Sequence, residues 1–194
     1  MKIFYCDGST RGKNQKGADN IGGWGMVCLD ENEEMIIHMA CRENENTTNN
    51  REELKALLYC LDLADKDFAN EQCIIYSDSA YVVNMFNDWI HGWAANGWKN
   101  SKKQIVENLD LVLQIYNYAK KDFYHCEVKK CPGHVGEVGN EIADKLARGQ
   151  FKKAYDIINE NNFELSKGLA RDLYEYCTEE AHLYEIVHFK PWVD

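Results

Sequence analysis

The order of apolar segments constrains this chain more than any other feature. Three strand-like runs come first, and helix-like and strand-like stretches alternate after them. The opening runs are Lys2-Ile-Phe-Tyr-Cys6, Gly22-Gly-Trp-Gly-Met-Val-Cys-Leu29 and Met35-Ile-Ile-His-Met-Ala-Cys41. The polar stretch Asp30-Glu-Asn-Glu-Glu34 predicts a hairpin turn between the second and third. Residues 11–20 are rich in Gly, Lys and Asn, lack apolar periodicity and read as a loop. From Asn49 to about Lys66, Leu54, Leu57, Leu58 and Leu61 recur at helical spacing and define one buried stripe. A strand is expected at Cys73–Tyr76 and a short helix from about Ser79 to Asp88, with Val82, Val83 and Phe86 inward. Helical stretches follow near Lys102–Glu107 and Leu109–Lys120, then a fifth strand at Phe123–Lys129 and a helix from Asn140. This order indicates an α/β domain with a mixed sheet. Beyond about Gln150 the chain reads as helical and acidic, over Phe151–Ile158 and Phe163–Cys177, with an apolar end at Tyr184–Trp192.

A chain of 194 residues holds one domain with a full core plus an extension. The expected division is a main domain over 1–150 and an extension over 151–194. No apolar run approaches the 18 or so residues of a membrane span, and the N-terminus enters a strand without a secretory signal. A cytoplasmic monomer with no membrane association is the expectation. The chain has eight cysteines, but no C-x-x-C, and Cys28, Cys60 and Cys73 sit inside apolar elements. Buried free thiols therefore fit better than a zinc site. A net charge of −10 argues against broad non-specific nucleic-acid binding. Between Gly97 and Lys130, however, seven lysines face four acids, which suits one local phosphate contact.

Four acids stand at the joints of this pattern. Asp7 follows the first run and precedes Gly8-Ser9, and Glu53 lies in the first turn of the helix that begins Thr47-Thr-Asn-Asn-Arg-Glu-Glu53. Asp78 follows the fourth strand as Ser77-Asp78-Ser79, and Asp144 lies in Gly139-Asn-Glu-Ile-Ala-Asp-Lys-Leu146. Each has an ordinary reading. Asp7-Gly8 is a common turn pair. Glu53 suits a capping box behind Asn50. Asp78 suits the cap of the helix that follows it, and Asp144 a pair with Arg148 one turn on. Acids at strand ends and helix starts are also what a phosphodiester-cutting site for two divalent ions needs, with Asp7 on a central strand as the candidate bridge. All-oxygen ligands select Mg2+ or Mn2+ over zinc.

Each acid comes with specific neighbours. These are Tyr5-Cys-Asp-Gly-Ser9, Thr47-Thr-Asn-Asn-Arg-Glu-Glu-Leu54, Tyr76-Ser-Asp-Ser79 with Tyr81-Val82, and Gly133-His134 ahead of Gly139–Asp144. In this order they resemble ribonuclease H of the type 1 class, the bacterial-like enzymes that cut RNA in RNA–DNA hybrids. The resemblance spans about residues 1–150. It implies the ribonuclease H-like α/β fold, a five-stranded mixed sheet flanked by helices, here with a helical C-terminal extension. It also implies a metal-dependent endoribonuclease that uses two ions, Mg2+ or Mn2+, and leaves 5′-phosphate and 3′-hydroxyl ends. Asp7, Glu53, Asp78 and Asp144 match the family's metal-binding acids. His134 matches its loop histidine, implied to assist proton transfer or product departure. Asn49 and Asn50, with Thr48, Arg51 and the backbone of Gly8 and Ser9, match the part that touches the hybrid's minor groove. Trp89, Trp93, Trp98 and Lys99 match the basic protrusion that grips the DNA strand.

The chain departs from the pattern in places. Trp93-Ala-Ala-Asn-Gly-Trp98 replaces a run of Lys and Arg, which implies a weaker grip on the hybrid. Ala80 stands where close relatives carry Gln, and the loop before Asn20 lacks an Asn-Pro-Gly turn. The tail beyond 150 has no counterpart. Two rival readings remain: a DNA-cutting, transposase- or resolvase-like relative, and a hybrid-binding module without catalysis. The Asn-Asn-Arg block argues against the first and the intact acid set against the second.

Overall fold

The first strand is longer than its apolar run predicts. β1 spans Lys2–Arg11, so Asp7 lies within a strand and Asp7-Gly8 is not a turn. Pairing overrides the local turn signal here: β2 (Asn20–Leu29) runs antiparallel alongside, with Asp7 opposite Gly25 and Gly8 opposite Trp24. The structure is a computed structural model describing residues 1–11, 20–29, 35–45, 47–120, 125–133, 136–161, 163 and 187–188. The loop and hairpin turn expected at 12–19 and 30–34 lie outside these residues.

β3 (Met35–Glu45) extends the antiparallel arm beyond its expected end. β4 (Cys73–Ser77) and β5 (Cys126–Lys130) add parallel strands on the other side of β1. Among the described residues the sheet has six strands rather than five, in the order β5-β4-β1-β2-β3-β6. The sixth, β6 (Val187–His188), comes from the apolar end of the extension and pairs with β3 through Met39 and His38.

Helices cover both faces. α1 (Asn49–Asp67) buries Leu54, Leu57 and Leu61 of the predicted stripe with Phe4, Met26 and Ile75, while Leu58 is half-buried at its edge. α4 (Leu109–Ala119) packs beside it through Val112 and Ile115. Strand alternation sends Val27 to the opposite face, where α5 (Val138–Ala147) and α6 (Phe151–Glu160) close a second cluster with Ile142, Leu146, Ala154 and Ile158.

Between β4 and α4 the chain departs from expectation. The predicted short helix continues to Ala95: α2 (Ala80–Asn84), a π-helical turn (Met85–Trp89) and α3 (Ile90–Ala95) run on without a break. No helix forms over Lys102–Glu107. Lys99 bridges Ile105, and Lys103 and Asn108 take left-handed backbone conformations that interrupt a helix before α4. Cys6, Cys28, Cys60, Cys73, Cys126 and Cys131 are buried free thiols. Among the described residues no helix is long and apolar enough to cross a membrane.

Candidate active site

Register brings the first two acids together. In the parallel ladder Cys6 pairs with Ser77, so Asp7 and Asp78 follow side by side. β4 stops at Ser77 while β1 continues to Arg11, which opens a crevice at the carboxyl end of the parallel strands. Such crevices are the usual ligand positions of open α/β sheets.

Two glycines bring helices to this crevice. A side chain at Gly8 would collide with the backbone of Glu52 and Glu53, so its absence lets the start of α1 sit directly on β1. One at Gly25, the partner of Asp7, would collide with Ala143 and Leu146, so α5 closes on the sheet beside Asp7. Glu53 and Asp144 arrive by these two contacts. Asp7 and Asp144 are buried, and Glu53 and Asp78 are half-buried.

The crowding shows in the titration of the group. Burial, with the charges of Asp78 and Asp144, pushes the Asp7 carboxyl up to about 8, against the opposing hydrogen bond from Gly8 N to its Oδ1 at 2.8 Å. Burial and Asp78 also raise Glu53, while a hydrogen bond from Ser79 opposes them. Asp144 behaves differently. Burial pushes it up, but hydrogen bonds and charge from Lys145 and Arg148 outweigh that and hold it below the ordinary carboxylate range. Its pair with Arg148, the ordinary reading of that acid, is present.

Two other ordinary readings are overturned. The N-cap of α1 is Thr48, whose hydroxyl accepts from Arg51 N, so neither Asn50 nor Glu53 forms a capping box. The N-cap of α2 is Ser79 and not Asp78. Ser79 was not among the residues singled out from the sequence. Its Oγ donates to Glu53 Oε2 at 2.6 Å. A Ser between a strand-end acid and a helix start signals a cap, but nothing local announces a partner 26 residues away.

His134 lies outside the described residues. Its neighbour Gly133 does not: a side chain there would begin 3.1 Å from Asp78 Oδ2, so this loop starts against the acids. Glu137, just before α5, accepts a hydrogen bond from the Tyr5 hydroxyl at 3.3 Å.

The expected binding residues divide. Asn49 Oδ1 accepts from Thr10 N at 2.9 Å and from Thr10 Oγ1 at 2.6 Å, which ties the start of α1 to β1 beyond Ser9. Asn50 is exposed. Arg51 is engaged at the surface, in a two-pronged bridge to Asp110 at 2.9 and 2.6 Å. Trp89 is 38% exposed, whereas Trp93 and Trp98 pack partly buried against the core. Tyr81, Trp89 and Trp93 form a row with ring centroids 6.0 and 5.8 Å apart. Burial, then Glu107 and Glu53, push the Tyr81 phenol up to about 12, so the row begins within electrostatic reach of the acids. Lys99 is exposed beyond Trp98, whose ring meets Tyr116 edge-on at 5.2 Å.

Among the described residues no three Asp, Glu, His or Cys groups converge closely enough to enclose one ion, with Asp144 turned onto its two cations. The donor chemistry nevertheless fits a hard divalent cation. The acids around Asp7 offer carboxylate oxygen alone, and their mutual repulsion, visible at Asp7, is what such a cation relieves.

Comparison with known proteins points one way. The RNase H family model matches residues 1–152. Ribonuclease H of Ehrlichia ruminantium (strain Gardel) is 37% identical over 154 residues, covering 78% of this chain and 94% of that protein. Ribonuclease H of Orientia tsutsugamushi (strain Boryong) is 38% identical over 140 residues, covering 72% and 79%. Among solved structures, LC9-RNase H1, a type 1 RNase H with the type 2 active-site motif, matches with a TM-score of 0.61 and 26% identity over 76% of this chain and 70% of that one. LC11-RNase H1, solved in complex with an RNA/DNA hybrid, matches in fold, with a TM-score of 0.51 and 17% identity over 77% of this chain and 99% of that one.

Proposed function

The chain belongs to the ribonuclease H family, and on that premise we propose that it cuts the RNA strand of RNA–DNA hybrids internally by a two-metal-ion mechanism, leaving 5′-phosphate and 3′-hydroxyl ends. It is an enzyme of the endonuclease class of hydrolases, in a metal-dependent family. The observation that carries the reading is Asp7, buried in the central strand with the charges of Asp78, Asp144 and Glu53 on it.

A phosphodiester resists water because it is anionic and its leaving alkoxide is poor. Two divalent ions, when bound, supply a water acidic enough to attack at neutral pH and positive charge for the leaving 3′ oxygen. Asp7, Glu53, Asp78 and Asp144 are the residues that would hold them, with Asp7 as the shared ligand. Asn49 and Asn50, at the start of α1 beside β1, suit the 2′-hydroxyls of the RNA strand: the Asn50 amide can both donate and accept, whereas Asn49, its oxygen engaged by Thr10, would contribute through its NH2 group. The aromatic row and Lys99 suit the deoxyribose strand.

The test offers one labelled sequence as hybrid, duplex RNA, duplex DNA and single-stranded RNA, with Mg2+ and with chelator. Internal cuts in the RNA of the hybrid alone, lost with chelator, are expected. Comparable cutting of duplex DNA would favour the transposase- or resolvase-like reading, and no cutting at all the binding module.

A further inference from the structure

The hydroxyl of Ser79 has two partners, and their directions are fixed by chemistry. It accepts from Val82 N at 3.3 Å, closing the first turn of α2. An amide N–H only donates, so the single hydroxyl proton is left for the second partner, Glu53 Oε2, at 2.6 Å. Ser79 is buried, and its own backbone is held by a bond from Ser79 N to Ser77 Oγ at 3.2 Å. Ser77 O in turn accepts from Cys131 N at 3.1 Å. The chain on both sides of Asp78 is therefore pinned, and the same short segment reaches across to an acid on another helix.

We infer that Ser79 is a positioning residue, which engages one oxygen of Glu53 and thereby sets the other, Oε1, as the oxygen presented to a divalent ion beside Asp78 and Asp7. This rests on the metal-site reading above. A carboxylate with one oxygen bonded to a fixed donor loses its freedom to rotate or to close on an ion with both oxygens. It also keeps α1 and the end of β4 in one register at the crevice. Capping α2 needs no proton from this position. Donation to Glu53 is a separate property, and the two can be separated by substitution.

Ser79→Gly and Ser79→Thr make that separation. Glycine is a good N-cap even without a side-chain acceptor, but has no proton to give. Threonine keeps both functions. Mn2+ binding is read by calorimetry without substrate, together with the melting temperature before and after Mn2+. Ser79→Gly is expected to weaken Mn2+ binding about tenfold and Ser79→Thr by no more than about twofold, since loss of a hydrogen bond to a metal ligand typically costs 10–100-fold. The metal-free melting temperature of Ser79→Gly should stay close to that of the native chain, while its rise on adding Mn2+ shrinks. Native Mn2+ affinity in Ser79→Gly, or equal weakening in both variants, would overturn the inference while leaving the acid site standing. If the native chain itself binds no Mn2+, the metal-site reading falls and the role of Ser79 falls with it.

Discussion

Asp7 shows what one buried carboxyl does to the whole fold. Its folded value is pushed up to about 8, whereas an unfolded chain releases the proton near 4. Between these values the unfolded state is ionised and the folded state still holds its proton. Metal-free stability therefore falls as pH rises from about 4 to about 8, and levels off above. Each pH unit in that window removes about 1.4 kcal/mol in the limit of full coupling. Asp7→Asn has no such slope. We expect it to melt like the native chain near pH 4 and several degrees higher at pH 8 in chelator, while cleavage is lost. Thermal melts across pH check this, and equal melting at pH 8 would mean the crowding at Asp7 is relieved in solution. Asp144 works the other way. Its lowered value means that its pairing with Lys145 and Arg148 stabilises the protein above the ordinary carboxyl range and is lost as pH falls through the lowered value. Arg148 is partly exposed, so Arg148→Ala should cost no more than about 1 kcal/mol at neutral pH. By freeing Asp144 it should tighten Mn2+ binding, and weaker binding on titration would count against Asp144 as a ligand. These partners were not legible in the sequence beyond the i,i+4 pair. Arg51 meets Asp110 from 59 residues away, and only the packing of α1 on α4 brings them together.

At the level of elements, legibility followed periodicity. The leucine stripe of α1 was readable because a long amphipathic pattern has one solution. The ordinary turn reading of Asp7-Gly8 fails because turn chemistry takes no account of the partner strand, which pairs with β1 as far as Arg11. The helix expected at Lys102–Glu107 fails because six residues with only the adjacent Ile105 and Val106 apolar carry no helical stripe, and the left-handed Lys103 and Asn108 cannot be read from Lys or Asn alone. The close approach of α1 to β1 is the element-scale device that delivers Glu53, and it depends on Gly8 having no side chain. Gly8→Ala puts a methyl group into the helix backbone, which cannot move like a flexible side chain. A loss of about 1–3 kcal/mol is expected, as for other overpacked sites, with activity reduced beyond what the lower stability explains. Melting and specific activity measured on the same sample check it, and a native-like activity would show that Glu53 need not be held so close. The exposed tryptophan is a separate matter. Trp93 and Trp98 pack on the core, so Trp89 is the cleaner probe of grip. Trp89→Ala is expected to raise KM for hybrid several-fold, with stacking worth about 1–3 kcal/mol, and to leave kcat near native. A fall confined to kcat would remove the row from the binding surface.

On the scale of the molecule, the sheet has two faces and the chain covers them with different segments. The face toward α1 is closed by residues within the first 120, so the catalytic fold was legible from the pattern there. The opposite face is closed by α5 and then α6, and α6 lies beyond the expected boundary at 150. Ala154 and Ile158 are fully buried against Val27, Ile142 and Leu146. The strand that carries Val27 also carries Gly25, the partner of Asp7, so this second core supports the floor of the acid site. β6 adds a smaller contribution, a two-residue pairing on the edge of β3. The extension thus has two parts with different expected weights. A chain ending at Phe163 keeps α6 with its cluster and, among the described residues, forfeits only the β6 pairing, and should melt within a few degrees of the native chain. A chain ending at Gln150 exposes the second cluster. Emptying a buried isoleucine site alone costs about 2–5 kcal/mol, and about 3 kcal/mol lowers the melting temperature of a chain this size by about 6–12 °C. Ile158→Ala should reproduce much of that drop without truncation, and Mn2+ binding should weaken in step if the second core holds the acids in register. Equal melting of the chain ending at Gln150 and the native chain would make α6 an appendage; a normal Mn2+ affinity in a clearly destabilised Ile158→Ala would confine its role to stability.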